Sequence, residues 1–80
     1  MRLNLHFFAS LKDHFPARLE LELAEGANAA DLLRKLGEEK PAAAGLLHVT
    51  RVAVGEELVG PEHPLQHDDE LFLLPPSSGG

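Results

Sequence analysis

Polar and apolar residues alternate in several short stretches of this chain and recur at helical spacing in one. In RLNLHFFA, residues 2–9, Leu3, Leu5 and Phe7 alternate with Arg2, Asn4 and His6, which predicts a strand with one buried face. Ser10 followed by Asp13 is a capping signal, so a single helical turn is expected over Leu11–Phe15, stopped by Pro16. ARLELEL, residues 17–23, alternates most cleanly: Leu19, Leu21 and Leu23 face one way, Arg18, Glu20 and Glu22 the other. Glu25-Gly26 is a turn. Asn28 is a good N-cap, and Asp31 puts negative charge in the first turn, where the helix dipole favours it. Ala29, Leu32, Leu33 and Leu36 then form one apolar helix face, and Gly37 to Pro41 is expected to end it. A short second turn or helix fits Ala42–Leu47. TRVAV, residues 50–54, is a third strand, and Gly55-Glu56 a hairpin turn into a short strand at Glu57–Val59. After the breakers Gly60, Pro61 and Pro64, and a polar turn at His67-Asp68-Asp69, ELFLL at 70–74 is apolar on both faces. Such a strand is central in its sheet or covered by a partner. Pro75-Pro76 ends it, since neither can donate to a ladder.

The first two strands are close enough for a hairpin. The last must pair with something, and the first is available. Parallel pairing of first and last strands lays one main helix across one face of a mixed sheet of four to five strands. That is an α+β, β-grasp (ubiquitin-like) arrangement. Leu3, Leu5, Phe7, Leu19, Leu21, Leu23, Leu32, Leu36, Val52, Val54, Leu65, Leu71 and Leu73 are then the expected core. Truncation of one of them, Leu21 for example, is expected to cost about 2–5 kcal/mol. Residues 1–76 would form the domain and 77–80 a flexible tail.

Composition narrows the possibilities. Eighty residues make one domain with a thin core. There is no cysteine, which excludes disulfides, Cys-ligated zinc, a Cys nucleophile and iron–sulfur clusters. The core rests on 16 Leu, 10 Ala, 4 Val and 4 Phe. Net charge is −6, and residues 1–51 sum to zero, with seven basic and seven acidic side chains. The whole excess lies in Glu56, Glu57, Glu62, Asp68, Asp69 and Glu70, in a segment without Lys or Arg. Nucleic acid and anionic membranes both need clustered cations, so neither is an expected partner. A basic protein surface docking on the C-terminal half is the natural complement, and plain solubility the alternative. No stretch approaches a membrane span, and MRLNLHFFAS lacks the long apolar region of a signal peptide; a cytoplasmic location is expected.

The usual catalytic signatures are missing. The glycines are scattered and no serine lies in a nucleophile elbow. Among the five histidines, His63 and His67 are four apart but separated by Pro64, which favours a solvated loop over a metal site. No metal site and no bound cofactor are expected. Asp68, Asp69 and Glu70 read first as a turn and strand start.

The end of the sequence is more distinctive. Pro75-Pro76 favours an extended course away from the domain, and six residues from Pro75 can reach about 20 Å. Ser77, Ser78, Gly79 and Gly80 have nothing apolar to pack back, and glycines without Cβ can thread a narrow channel. A carboxylate on such a tether suits ATP-dependent activation. The same composition also fits a flexible linker or a frayed end. Beside this tail, Phe8 falls on the outward face opposite Phe7, near Phe72 and Leu74, where exposed apolar side chains would make a partner patch. Alternatively Phe8 tucks under the turn at 10–15.

HFFASLKD (6–13), NAADLLRKL (28–36), VAVGEELV (52–59) and PLQHDDELFLLPPSSGG (64–80) resemble the small subunit of molybdopterin synthase, in the MoaD/ThiS family of ubiquitin-like sulfur carriers. The resemblance covers essentially the whole chain. Two turn positions depart from it: Gly55 stands where the family often has Asn, and Asp68 where a D-G-D-E turn has Gly. The resemblance implies a non-catalytic subunit of a sulfurtransferase. An E1-like adenylating enzyme would use ATP to activate the Gly80 carboxylate, which then becomes a thiocarboxylate. The tail would enter the large subunit of molybdopterin synthase, in a heterotetramer, and give its sulfur to cyclic pyranopterin monophosphate. Catalytic residues would lie on the large subunit. By position Gly80 carries the sulfur; Gly79, Ser78, Ser77, Pro76 and Pro75 form the passage; and Phe8, Phe72, Leu74, Asp68, Asp69 and Glu70 meet the partner. The same chemistry for another acceptor (tRNA thiolation, thiamine or cysteine synthesis) and a ubiquitin-like modifier are the alternatives.

Overall fold

The computed structural model describes residues 1–76. Strand β1 is Arg2–Phe7, followed by a 3-10 turn at Ala9–Asp13 and strand β2, Arg18–Glu22. Helix α1 spans Ala29–Glu39, a 3-10 turn at Pro41–Ala43 leads into α2, Ala44–His48, and β3 (Arg51–Val54), β4 (Glu57–Val59) and β5 (Glu70–Leu74) complete the domain. The strands form one sheet in the order β2-β1-β5-β3-β4. All neighbours are antiparallel except β1 and β5, which run parallel. The topology is a ubiquitin-like β-grasp with a five-stranded mixed sheet and two helices, one long and one short. The strand that is apolar on both faces is the central one.

Register assigns the faces. Leu3 pairs with Leu21, Leu5 with Leu19 and Leu71, Phe7 with Leu73, and Val52 with Leu73. These side chains meet Ala29, Leu32 and Leu36 of α1 and Leu47 of α2 in one core. Leu19, Leu21, Leu23 and Val54 are only half-buried, a correction to the expected core. β2 is an edge strand with a single neighbour, so its apolar face is open on one side. Their places in the core are taken by Leu11, Phe15, Ala29, Ala43 and Leu47. Phe15 stacks on Phe7 at 4.6 Å between ring centroids, and Leu11 is fully buried, so the turn after β1 plugs that end of the core.

Helix α1 begins in a closed network. The Asn28 side chain accepts from the Asp31 N–H and the Asp31 carboxylate accepts from the Asn28 N–H, both at 2.9 Å. The Ala29 and Ala30 N–H groups donate to the carbonyls of His63 and Pro61. The free N–H groups of the first turn therefore all find acceptors, partly from the loop before β5. The helix ends at Glu39, inside the Gly37–Pro41 stretch expected to stop it; Gly37 itself stays helical, because α2 packs against it and outweighs the roughly 1 kcal/mol propensity cost of one glycine. Both turn departures keep a left-handed backbone: φ is +59° at Gly55 and +69° at Asp68. A positive φ at the first central residue suits the two-residue β3–β4 hairpin, and Asp is among the few side chains that tolerate it.

Two outcomes test this packing. Leu71→Ala or Leu5→Ala should cost about 2–5 kcal/mol in urea unfolding, and edge-strand Leu21→Ala less than about 2 kcal/mol; equal costs would contradict the edge assignment. The backbone N–H of Asn28, with help from Arg34, holds the Asp31 carboxyl below its ordinary 3.8, against a smaller opposing effect of burial. A lowered folded value stabilises above the unfolded one and is lost as the pH falls through the folded value. The stability difference between wild type and Asp31→Asn should therefore be present at neutral pH and shrink as the pH drops below 3.8.

Candidate functional site

The helices cover one face of the sheet and leave the other open. Parity places Asn4 and His6 of β1, Arg18 and Glu20 of β2, Arg51 and Ala53 of β3, Leu58 of β4, and Glu70, Phe72 and Leu74 of β5 on the open face. One rung crosses all five strands: Arg18 pairs with His6, His6 with Phe72, Phe72 with Ala53, and Ala53 with Leu58. Central β5 has both faces apolar, but a helix covers only one, so Phe72 and Leu74 remain half-exposed. Leu58 is 58% and Phe8 40% exposed.

The aromatic rings are organised. His6 stacks on Phe72 at 4.5 Å and 11° between planes, and Phe8 lies over the same ring at 6.2 Å. The His6 Nε2–H donates to Glu70 Oε1 at 2.6 Å, which ties the imidazole down from the side. Phe8 ends outside β1 rather than within it. The next residue, Ala9, has φ +52°, a left-handed turn that starts the 3-10 segment. Leu11 and Phe15 fill the space beneath that segment, so Phe8 stays out on the open face.

Of the expected partner residues, Phe8, Phe72 and Leu74 thus come together, and Glu70 joins them through His6. Asp68 and Asp69 do not. They lie just before β5, about 16–20 Å along the chain from Leu74. Their groups are used locally: the Asp69 carboxylate accepts from the Gln66 N–H at 2.9 Å, and the Asp68 N–H donates to the Arg2 carbonyl at 2.7 Å. His67 Nδ1 accepts from the Arg2 N–H, and His63 serves α1 through its carbonyl. Among the described residues no three His, Cys, Asp or Glu side chains are placed to hold a metal. No helix among them is long and apolar enough to cross a membrane. Pro75 and Pro76 continue directly from β5. The positions read as tail passage and sulfur carrier beyond them, Ser77, Ser78, Gly79 and Gly80, lie outside the described residues. Sequence reasoning missed His6, Ala53 and Leu58; their signal was parity, which only the register between strands converts into a shared patch.

The fold and the patch define a ubiquitin-like β-grasp domain with an aromatic surface where its last strand ends. The chain belongs to the ThiS family, whose model matches residues 5–80, so the MoaD/ThiS resemblance read from the sequence is borne out. Among solved structures it is similar to SAMP1 from Haloferax volcanii, at 23% identity over 100% of both chains with a TM-score of 0.81. It is similar to a chain of the complex of subunits 1 and 2 of molybdopterin-converting factor from Helicobacter pylori, at 26% identity over 100% of both chains with a TM-score of 0.70. A ubiquitin from Caldiarchaeum subterraneum matches at 19% identity and a TM-score of 0.69, covering 100% of this chain and 98% of that one. A comparison with curated proteins finds no match. These likenesses give a sulfur-carrier or ubiquitin-like modifier fold.

The stack has a direct spectroscopic test. Phe72→Ala should leave the core folded, because the ring is on the open face, yet move the His6 ring-proton resonances downfield as the ring current is lost. Unchanged His6 resonances in a folded variant would mean that the rings do not stack in solution.

Proposed function

We propose that this chain is the sulfur carrier of a molybdopterin synthase, a non-catalytic small subunit whose Gly80 carboxylate is the working group. An E1-like enzyme transfers AMP from ATP to that carboxylate and releases pyrophosphate. A sulfur nucleophile then displaces AMP and leaves a C-terminal thiocarboxylate. The charged tail end enters the large subunit, which supplies the catalytic residues and passes the sulfur to cyclic pyranopterin monophosphate.

The observation that carries the reading is the aromatic patch of Phe8, Phe72 and Leu74 at the end of β5 from which Pro75-Pro76 departs. A tail that must be guided into another protein needs a docking surface at its root. Half-exposed aromatic rings held by neighbours suit that role, since little side-chain freedom is lost on binding. The family match runs through residue 80, the reactive position in this scheme. The Helicobacter pylori relative is a subunit in a complex of molybdopterin-converting factor subunits 1 and 2, which favours the large-subunit partner over other acceptors.

Activation requires the carboxylate to come within about 3–3.5 Å of the ATP α-phosphate, so tail length is critical. Deletion of Gly80, extension by one residue, or Gly79→Val should abolish thiocarboxylate formation, while the native chain gains the mass of one oxygen-to-sulfur exchange. Phe72→Ala should weaken large-subunit binding by about 2 kcal/mol or more, mainly through faster dissociation. Full sulfur transfer by the extended variant would overturn the carrier reading. Lysine-linked adducts in place of a thiocarboxylate would assign the chain to the modifiers, and a thiocarboxylate that yields no dithiolene with the large subunit would assign it to another acceptor.

A further inference from the structure

The charges of the open face are sorted along the strands. β5 runs from Glu70 to Leu74, so Pro75 leaves from one defined end of the sheet, the exit end. β1 runs parallel to β5, and β3 antiparallel, in a register that pairs Arg51 with Leu74. Arg18, Phe7 and Arg51 therefore lie toward the exit end, whereas Arg2, Glu22, the Gly55-Glu56 turn and Asp68-Asp69 lie toward the other. Along the strands of the open face, the first carboxylates met on going away from the exit are Glu20 and Glu70, which share a rung through Asn4, and Glu70 is already engaged by His6.

Arg18 and Arg51 bracket the aromatic patch from its two sides, β2 and β3. Both are exposed, and neither makes an ion pair with a described residue. Arg2, at the opposite end, is by contrast 3.9 Å from Asp68. Three strand spacings separate β2 from β3, about 14 Å. The patch thus sits between two guanidinium groups, although the chain as a whole is acidic.

We propose that Arg18 and Arg51 are docking contacts for carboxylates on the protein that receives the tail, so that this partner presents an acidic rim on both sides of an apolar socket. The proposal rests on the docking face assigned under the proposed function and fixes the chemistry of what binds there. It also reverses the sign expected from net charge: a uniformly basic partner would meet repulsion on both sides of the socket. A nucleotide at the activated carboxylate is a poor match for these arginines. Six residues from Pro75 span up to about 20 Å, so an outstretched tail carries Gly80 well beyond the length of an arginine side chain. Rim pairs of this kind add little static affinity. They steer encounter and set orientation, and guanidinium groups with their planar fork of donors suit carboxylates.

The test is association kinetics of the full chain with the purified large subunit at low and high salt. Arg18→Glu and Arg51→Glu should each slow association, roughly tenfold at low salt and less at high salt. Arg51→Lys should retain most of the rate, and thermal unfolding of the charge variants should match wild type. Phe72→Ala, run alongside, reports on the docking face itself. If Phe72→Ala weakens binding while both charge reversals associate as fast as wild type or faster, the arginine contacts are wrong and the docking face stands. If neither the ring nor the arginines matter, the docking face fails and this inference with it. If sedimentation shows wild type to be dimeric and Arg51→Glu monomeric, the arginines meet a second copy of the chain and the proposal is overturned.

Discussion

The parallel pairing of β1 with β5 is the constraint on which the rest of this structure depends. Leu5 pairs with Leu71 and Phe7 with Leu73, which joins the two ends of the domain through contacts more than sixty residues apart in sequence. With the last strand in the centre of the sheet, Leu71 and Leu73 are fully buried against α1. A central strand has two faces, however, and among the described residues helices cover only one. Phe72 and Leu74 are left half-exposed on the other face, which no described helix covers. The surface proposed for docking is therefore a consequence of the same pairing that makes the core.

That pairing also fixes where the sequence leaves the domain. β5 is hydrogen-bonded on both sides, so Pro75-Pro76 departs from a rigid point between β1 and β3. Phe8 lies beside that point because β1 runs in the same direction and ends at the same level. The left-handed turn at Ala9 then drops Leu11 and Phe15 into the core and leaves Phe8 outside. His6 completes the arrangement, held between Phe72 and the Glu70 carboxylate.

The loop before β5 has a quieter part. The carbonyls of Pro61 and His63 receive N–H groups from the start of α1, and the Leu65 N–H donates to the Ala27 carbonyl. These bonds tie the helix to the segment that feeds the central strand. The acidic turn that follows is built on its own hydrogen bonds, with Asp69 accepting from Gln66 and Asp68 held to Arg2. This explains why a cluster that looks in the sequence like a binding feature stands apart from the aromatic patch.

The sequence by itself determined the elements, because each depends on local pattern: alternation for the strands, Asn28 and Asp31 for the start of α1, Gly55 and the Pro-Pro pair for the turn and the stop. It showed that β5 is apolar on both faces, which narrows its place to the centre of the sheet or to a site covered by a partner. It put Phe8 opposite Phe7 and Phe72 on the same parity as Leu74, and left open whether these side chains face outward. What it left open depends on which strands are neighbours. Leu21 and Leu5 have the same local pattern, yet β2 is an edge strand and β1 is not, so only one of the two is fully buried. Ala53, Leu58 and His6 became parts of one patch only when register placed them on one rung. The sum of charges predicted a basic partner, but the direction of each strand decided that Glu22, Glu56, Asp68 and Asp69 lie toward one end of the sheet and Arg18 and Arg51 toward the other. Local pattern sets which side of a strand a residue takes, and only tertiary pairing sets what stands beside it.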